Sequence, residues 1–348
     1  CKKFYIIIQM NDTYNMEKKM LIKKCKNYIF KRIGDHKVLE IKEENLEKIK
    51  NNEVLIEQKA IGLNYIDIYH RSGLYKLNLP SKIGLEASGI IIEKGKDVFD
   101  LNIGDRVAYV SMPVGAYCDY RIISTQNIYK IPDEISFEKA AAIMLKGLTV
   151  EYLFNRIVKL SPGDHVLFHA AAGGVGLIAC QWAKSENINL IATAGNDEKC
   201  NLAYKNGAMH VINYKKNNFE KKVKEITKGI GVDVVMDSVG KDTFFSSLNS
   251  LKPLGMMISF GNSSGQVPPF DIQLLQGNGS IKITRPTLFN PFLLNKKTFQ
   301  SMSHNLFEKI RKKEIEIKIG QKFDFKQIPD AHRELENRNT SGSTIISL

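Results

Sequence analysis

The sequence predicts an α/β fold in which a doubly wound parallel sheet is inserted into a smaller, mostly β, barrel-like domain. Three observations carry this. Short apolar runs broken by turn residues fill the stretch from about Asn27 to Thr125, strands and helices alternate from 166 to 260, and β-like patterning returns at 315–322 and 343–348. At 348 residues the chain suits two domains, each large enough to bury a core.

The elements follow in order. Residues 54–58, 89–93, 106–110 and 117–123 read as strands, and Gly84, Gly95, Gly104, Asp105 and Pro113 punctuate them. Residues 137–160 have helical period, and Ser161-Pro162-Gly163-Asp164 forms the turn into a strand near 166. Strands near 190 and 210, at 232–236 and at 256–260 then alternate with helices starting at 197, 218 and 241. Such alternation implies crossover helices and a parallel, Rossmann-type sheet. Residues 280–284 look like a last edge strand, 286–311 turns helical, and the β-like tail rejoins the first domain. The expected boundaries are an extension at 1–24, a β domain at 25–148 and 286–348, and the Rossmann-type domain at 149–285.

The turn after the strand near 166 carries the chemistry. Residues 170–176 read AAAGGVG between the apolar run Val166, Leu167, Phe168 and a helix-like stretch from Leu177 to Lys184. Small residues let the backbone approach a pyrophosphate, and the N–H groups and positive end of the following helix offset its charge. In the G-x-G-x-x-G spacing Gly173 and Gly176 fill the second and third places, while Ala171 stands at the first. That substitution weakens the motif alone, and a second apolar strand about twenty residues on, Leu190 to Ala194, restores it. The strand ends in Gly195-Asn196, without the carboxylate that an NAD site aims at the ribose 2′-hydroxyl. Asp197 and Glu198 read as the first turn of the next helix, where carboxylates are favourable, and Lys199 can turn toward a 2′-phosphate. NADPH is therefore expected rather than NADH. Without this context Lys199 would read as a solvated helix lysine. The switch point beside Gly173 puts the nicotinamide over the carboxyl ends of the central strands, in the cleft between the domains.

Composition narrows the function classes. The 43% hydrophobic and 25% charged fractions are those of a soluble globular protein, and no apolar run approaches the roughly twenty residues a bilayer requires. The +13 net charge lies in scattered lysines and in pairs such as Lys215-Lys216 and Lys221-Lys222, with no aromatic-interleaved basic stripe. It predicts a diffuse basic surface, with no dedicated nucleic-acid site, that helps to attract an anionic cofactor. Cys1, Cys25, Cys118, Cys180 and Cys200 lie far apart, offering neither a zinc ribbon nor a disulfide framework, and suit a reducing, cytoplasmic compartment. In the extension, the apolar patch at 4–8 is short for a signal core, and Asp12 and Glu17 argue against a transit peptide.

Read together, longer segments resemble a known family. Ala60-Ile61-Gly62-Leu63-Asn64-Tyr65-Ile66-Asp67, Arg71-Ser72-Gly73-Leu74-Tyr75, Gly115-Ala116-Tyr117, Leu145-Lys146-Gly147-Leu148-Thr149, the stretch from His169 to Lys184, Asp237-Ser238-Val239-Gly240 and Phe260-Gly261-Asn262-Ser263-Ser264-Gly265 resemble the NADPH-dependent quinone oxidoreductases. These form the zeta-crystallin group of the medium-chain dehydrogenases/reductases. The resemblance, which runs from about Cys25 onward, implies a GroES-like first domain and a homodimer, with the edge at 280–284 a plausible pairing surface. It also implies cofactor contacts. Gly173, Gly174 and Val175 would hold the pyrophosphate, and Gly195, Asn196, Lys199, Tyr214 and Arg338 would surround the 2′-phosphate. Ser238 and Val239 would line the adenosine side, Phe260, Asn262 and Ser263 the nicotinamide ribose, and Thr149 and Asn64 the ring. Tyr69 and Tyr75 would face the quinone. Taken singly, Tyr214 and Phe260 also suit a core, Arg338 a helix end and Asn64 a turn.

Where alcohol dehydrogenases of that superfamily carry a zinc-ligating histidine in Gly-His-Glu, this chain has Gly84-Leu85-Glu86, and leucine cannot ligate zinc. A zinc-free site is expected, which disfavours simple alcohols because their oxidation relies on the metal to stabilise alkoxide charge. A quinone accepts electrons more readily, so positioning and exclusion of water suffice. The leading reading is quinone reduction, by one- or two-electron transfer, with no protein acid assigned; Asn64, Tyr69 and water are all candidates. The alternatives are a reductase of 2-alkenals or enoyl thioesters and, outside catalysis, an RNA-binding or redox-sensor protein that keeps a cofactor site.

Overall fold

A computed structural model describes residues 24–290 and 292–348, so the expected extension, except Lys24, and Cys1 lie outside the described residues. The first domain contains β1 (Lys24–Phe30), β2 (Glu40–Asn45), β3 (Glu53–Leu63), α1 (Tyr65–Ser72), β4 (Ser81–Lys82), β5 (Glu86–Lys94), β6 (Arg106–Val110), β7 (Tyr120–Ser124) and β8 (Ile128–Lys130). β2, β1 and β4 make a small sheet. β3, β5, β6 and β8 pair antiparallel in that order, and β7 pairs with β3. β3 is buried along most of its length because it is central, and it lacks the alternation of a half-exposed strand. The strand expected at 117–123 begins at Tyr120. The preceding residues bond β1 instead, through Tyr28 N–H to the Tyr117 carbonyl (2.8 Å) and Asp119 N–H to that of Lys26 (3.3 Å).

α2 (Phe137–Tyr152) starts where the Ser136 side chain accepts the Lys139 N–H, and nearly all of it from Ala140 on is buried. A helix buried on nearly every side belongs in an interior, and this one runs between the barrel and the second domain, with its buried Lys146 and Glu151 paired. It stops short of the expected 160. A π turn, Leu153–Ile157, follows, in which Arg156 folds back on Glu151 with bonds of 2.9 and 3.1 Å.

The second domain alternates β9 (His165–Phe168), α3 (Gly174–Ser185), β10 (Asn189–Ala194), α4 (Asp197–Lys205), β11 (His210–Asn213), α5 (Phe219–Ile226), β12 (Val232–Asp237), α6 (Phe244–Asn249), β13 (Leu251–Ser259), α7 (Gln273–Gly277) and β14 (Lys282–Thr284). All pairings are parallel, in the order β11-β10-β9-β12-β13-β14. The order reverses between β9 and β12, which opens a crevice at their carboxyl ends. Beneath it, the buried side chains of Ile143, Leu148, Trp182 and Ile258 belong to one core spanning both domains. Full burial of each such side chain contributes roughly 1.5–3 kcal/mol.

The tail forms α8 (Lys296–Arg311), β15 (Ile319–Asp324), α9 (Ile328–Glu336) and β16 (Ser343–Ser347). The helix expected from 286 starts ten residues later, because Asn295 caps it by accepting the Thr298 N–H, and residues 286–289 line the crevice instead. β16 lies antiparallel to β3 and parallel to β15, returning the chain to the first sheet. No helix among the described residues is long and apolar enough to cross a membrane.

Candidate active site

The crevice opens into a cavity of about 830 Å³ between the two domains. One wall is the turn after β9, where Ala170 is left-handed (φ +56°) and its carbonyl accepts the Gly173 N–H at 3.0 Å. The three glycines that follow do different jobs. A Cβ on Gly173 would meet only the Ala170 oxygen, at 3.3 Å, so this residue keeps the backbone accessible. On Gly174 it would strike Lys146 Cδ at 2.6 Å, and on Gly176 the Ala171 Cα at 2.4 Å. Gly174 thus makes room for a side chain from α2, and Gly176 lets α3 pack tightly on the turn. No side chain caps α3, and Gly174, Val175 and Gly176 bring its start and the positive end of the helix to the cavity wall.

At the end of β10, a Cβ on Gly195 would lie 2.7 Å from Tyr214 Oη. The Asn196 side chain accepts the Lys199 N–H at 2.8 Å and caps α4. Asp197 is turned away, taking hydrogen bonds from Asn213 (2.7 Å) and Lys216 (2.5 Å). Asp197 is therefore not aimed at a ribose. Lys199 Nζ donates to the Arg338 carbonyl at 2.8 Å, and Arg338, left-handed at φ +61°, donates to the Ser263 carbonyl at 3.5 Å. Burial, and then the Arg338 charge, hold the Lys199 ammonium below its usual pKa. Two cations drawn together at one end of a cavity form an anion site.

Asp237 organises the turn after β12. Its Oδ1 accepts the N–H groups of Val239 (2.7 Å) and Gly240 (3.0 Å), and its Oδ2 accepts from Thr243 (2.6 Å) and Ser247 (3.0 Å). Since Ser247 spends its hydrogen on Asp237, it must accept from His169 Nε2 (2.9 Å), leaving Nδ1 to accept from Thr193 (2.9 Å). Burial depresses the His169 pKa.

On another wall the rings of Tyr65, Tyr69 and Tyr75 pack at 5.4 and 5.1 Å. Tyr69 Oη accepts the Asn262 N–H at 3.0 Å; Tyr75 Oη accepts from Arg285 at 3.0 Å and from Asn262 Nδ2 at 3.4 Å. Arg285 also donates to Ser259 and to the Gly261 carbonyl, which fixes it. Both phenol oxygens are thus engaged as acceptors, and their O–H groups are available to a ligand that only accepts. Below them Glu86, fully buried, accepts from Asn64 Nδ2 (2.7 Å), Lys146 Nζ (3.0 Å) and Leu145 N–H (2.5 Å). Thr149 donates to the Leu145 carbonyl at 2.7 Å.

Of the residues expected from the sequence, all but Asn196 and Asn262 line this one cavity. Asn196 is spent on its helix cap, and Asn262 braces the two tyrosines from behind. Sequence reasoning missed Lys146, Tyr152, Arg285, Thr340 and Gly342, which also line it. Lys146 stood within a quoted motif, but nothing local marks a lysine in a buried helix as facing a cavity. Among the described residues, no group of three or more His, Cys, Asp or Glu side chains could hold a metal ion, and Leu85 is fully buried.

Comparison with known proteins agrees with this fold. Residues 50–133 match the alcohol dehydrogenase GroES-like domain, and residues 174–308 match the zinc-binding dehydrogenase family. A quinone oxidoreductase of Pseudomonas aeruginosa is 42% identical over 323 residues, 92% of this chain and 99% of its own. A 2-haloacrylate reductase of Burkholderia is 36% identical over 301 residues, 84% of this chain and 90% of its own. The solved structure of Escherichia coli quinone oxidoreductase complexed with NADPH superposes with a TM-score of 0.91 at 42% identity, covering 93% of this chain and all of that one.

Proposed function

The chain belongs to the NADPH-dependent quinone oxidoreductases, a family of medium-chain dehydrogenases/reductases, and from that premise we propose that its interdomain cavity seats NADPH along its length and a quinone beneath the tyrosines. The observation that carries this is the coincidence, in one cavity, of an uncapped helix start with the Lys199–Arg338 cation pair, while Asp197 is withdrawn. That donor set fits a dinucleotide bearing a 2′-phosphate.

When bound, NADPH supplies the hydride. The rest falls to the protein. The first N–H groups of α3 hold the diphosphate, and Lys199, Arg338 and Tyr214 surround the 2′-phosphate. Ser238 and Val239, fixed by Asp237, flank the adenosine. Phe260, Leu288 and Phe289 wall the reacting end against water, which strengthens every polar contact inside it. A quinone offers two carbonyl acceptors on a flat ring, and Tyr69 and Tyr75 offer aromatic faces with unspent O–H donors. Burial drives the Tyr69 pKa up, so this phenol orients a quinone oxygen better than it protonates one.

In this reading the enzyme is cytoplasmic and homodimeric. The described cysteines Cys25, Cys118, Cys180 and Cys200 are free, buried thiols. β14 pairs with β13 on one side and has no other neighbour among the described strands, leaving an edge for a second copy. The deciding assay follows oxidation of NADPH and NADH by the purified protein with ortho- and para-quinones, 2-alkenals and enoyl thioesters. NADPH turnover with quinones is expected; turnover of alkenals or thioesters with none on quinones would overturn the substrate assignment.

A further inference from the structure

We propose that Lys146 is a positioning residue for the cofactor's diphosphate, its ammonium standing between that group and the buried Glu86 carboxylate. The inference deepens the NADPH reading and rests on it. Lys146 is 6% exposed and lines the cavity from α2. Its stem crosses Gly174, the first residue of α3, so closely that a Cβ there would lie 2.6 Å from its Cδ and 2.9 Å from its Cε. The second glycine of the turn is therefore needed for this side chain as well as for the ligand.

The ammonium is under-used. It can donate three hydrogen bonds, and among the described residues its one partner is Glu86 Oε1 at 3.0 Å. A buried ammonium with unspent donors is costly unless another anion comes within reach. The neighbouring group able to receive one is the uncapped start of α3, across Gly174. Glu86, by contrast, already accepts three hydrogen bonds, from Asn64, Leu145 and Lys146. Without Lys146, a buried carboxylate would confront the diphosphate across the same glycine. With it, one cation from the helix between the domains meets an anion on either side.

The test is calorimetric titration of wild type, K146Q, K146R and the double variant E86Q/K146Q with NADP⁺ and with 2′-AMP. The second ligand carries the 2′-phosphate but no diphosphate. The double variant guards against misfolding of K146Q, which leaves Glu86 unpaired, and thermal melts identify the folded proteins. In the folded glutamine variants NADP⁺ should bind about ten- to a hundredfold more weakly, the loss expected for one charged hydrogen bond. 2′-AMP should bind within about twofold of wild type, and K146R should recover most of the NADP⁺ affinity. Unchanged NADP⁺ binding in a folded glutamine variant overturns the assignment, as do equal losses for both ligands, which would mean simple structural support. Wild-type protein that binds neither ligand overturns the NADPH reading itself, and this inference with it.

Discussion

In the proposed reading Arg338 and Lys199 decide which nicotinamide cofactor is used, and their chemistry sets the size of the effect. A charged hydrogen bond is worth about 1.5–3 kcal/mol, so Arg338→Ala or Lys199→Ala should each raise the Kd for NADPH about ten- to a hundredfold. NADH, lacking the 2′-phosphate, should change less than about threefold in fluorescence titrations; equal losses for both cofactors would tell against a 2′-phosphate site. Asp67 supplies a second residue-level expectation. Burial pushes its carboxyl from 3.8 up to about 7. Between those values the folded protein keeps a proton that the unfolded chain has released. The stability this residue contributes is therefore full below about pH 3.8 and is lost as pH rises through 7. Asp67→Asn should gain on wild type between pH 5 and pH 8, read from urea midpoints. Burial holds His70 near 4 and His332 near 3, and both act in the opposite sense as pH falls below 6.5, but they are common to both proteins and cancel. Gly173, Gly195 and Lys199 were readable because their roles are local to one strand–turn–helix unit. Lys146 and Arg285 were not, because facing the cavity depends on which distant backbone lies alongside.

Where β3 crosses α2, the close approach rests on Gly62. A Cβ there would lie 2.2 Å from Glu86 Oε1 and 2.3 Å from the Ala141 carbonyl, and neither can readily retreat, one being held by Asn64 and Lys146 and the other being helix backbone. Gly62→Ala should cost about 1–3 kcal/mol by overpacking, lowering the thermal midpoint by several degrees, and should reduce quinone turnover because Asn64 and Lys146 both hang on Glu86. An unchanged melt would show that the two elements slide apart freely. Helix and strand types were legible from periodicity, whereas two helix ends were not. At 153–157 apolar residues continue the helical period while Arg156 closes a wider turn on Glu151. At 286–294 a run such as Leu288-Phe289 has helical spacing, yet those side chains cover the cavity, and the helix waits for the Asn295 cap.

For the molecule as a whole, the doubly wound order and the inserted arrangement were legible because alternating strands and helices admit few topologies, and because β patterning resumed after the last helix. A single chain shows no quaternary state. Pairing of β14 edges should give a species of twice 39.3 kDa in light scattering, and a monomer at micromolar concentration would refute the dimer. On a ribosome, the β9–α3 unit emerges long before β16, yet Gly342 bridges to Gly173 and β16 seats the neighbouring wall of the cavity against β3. A nascent chain that has released β9 and α3 alone lacks that flank. Coenzyme should therefore bind only once the closing strand is in place, and NADP⁺ binding by a chain ending before Ser343 would refute this.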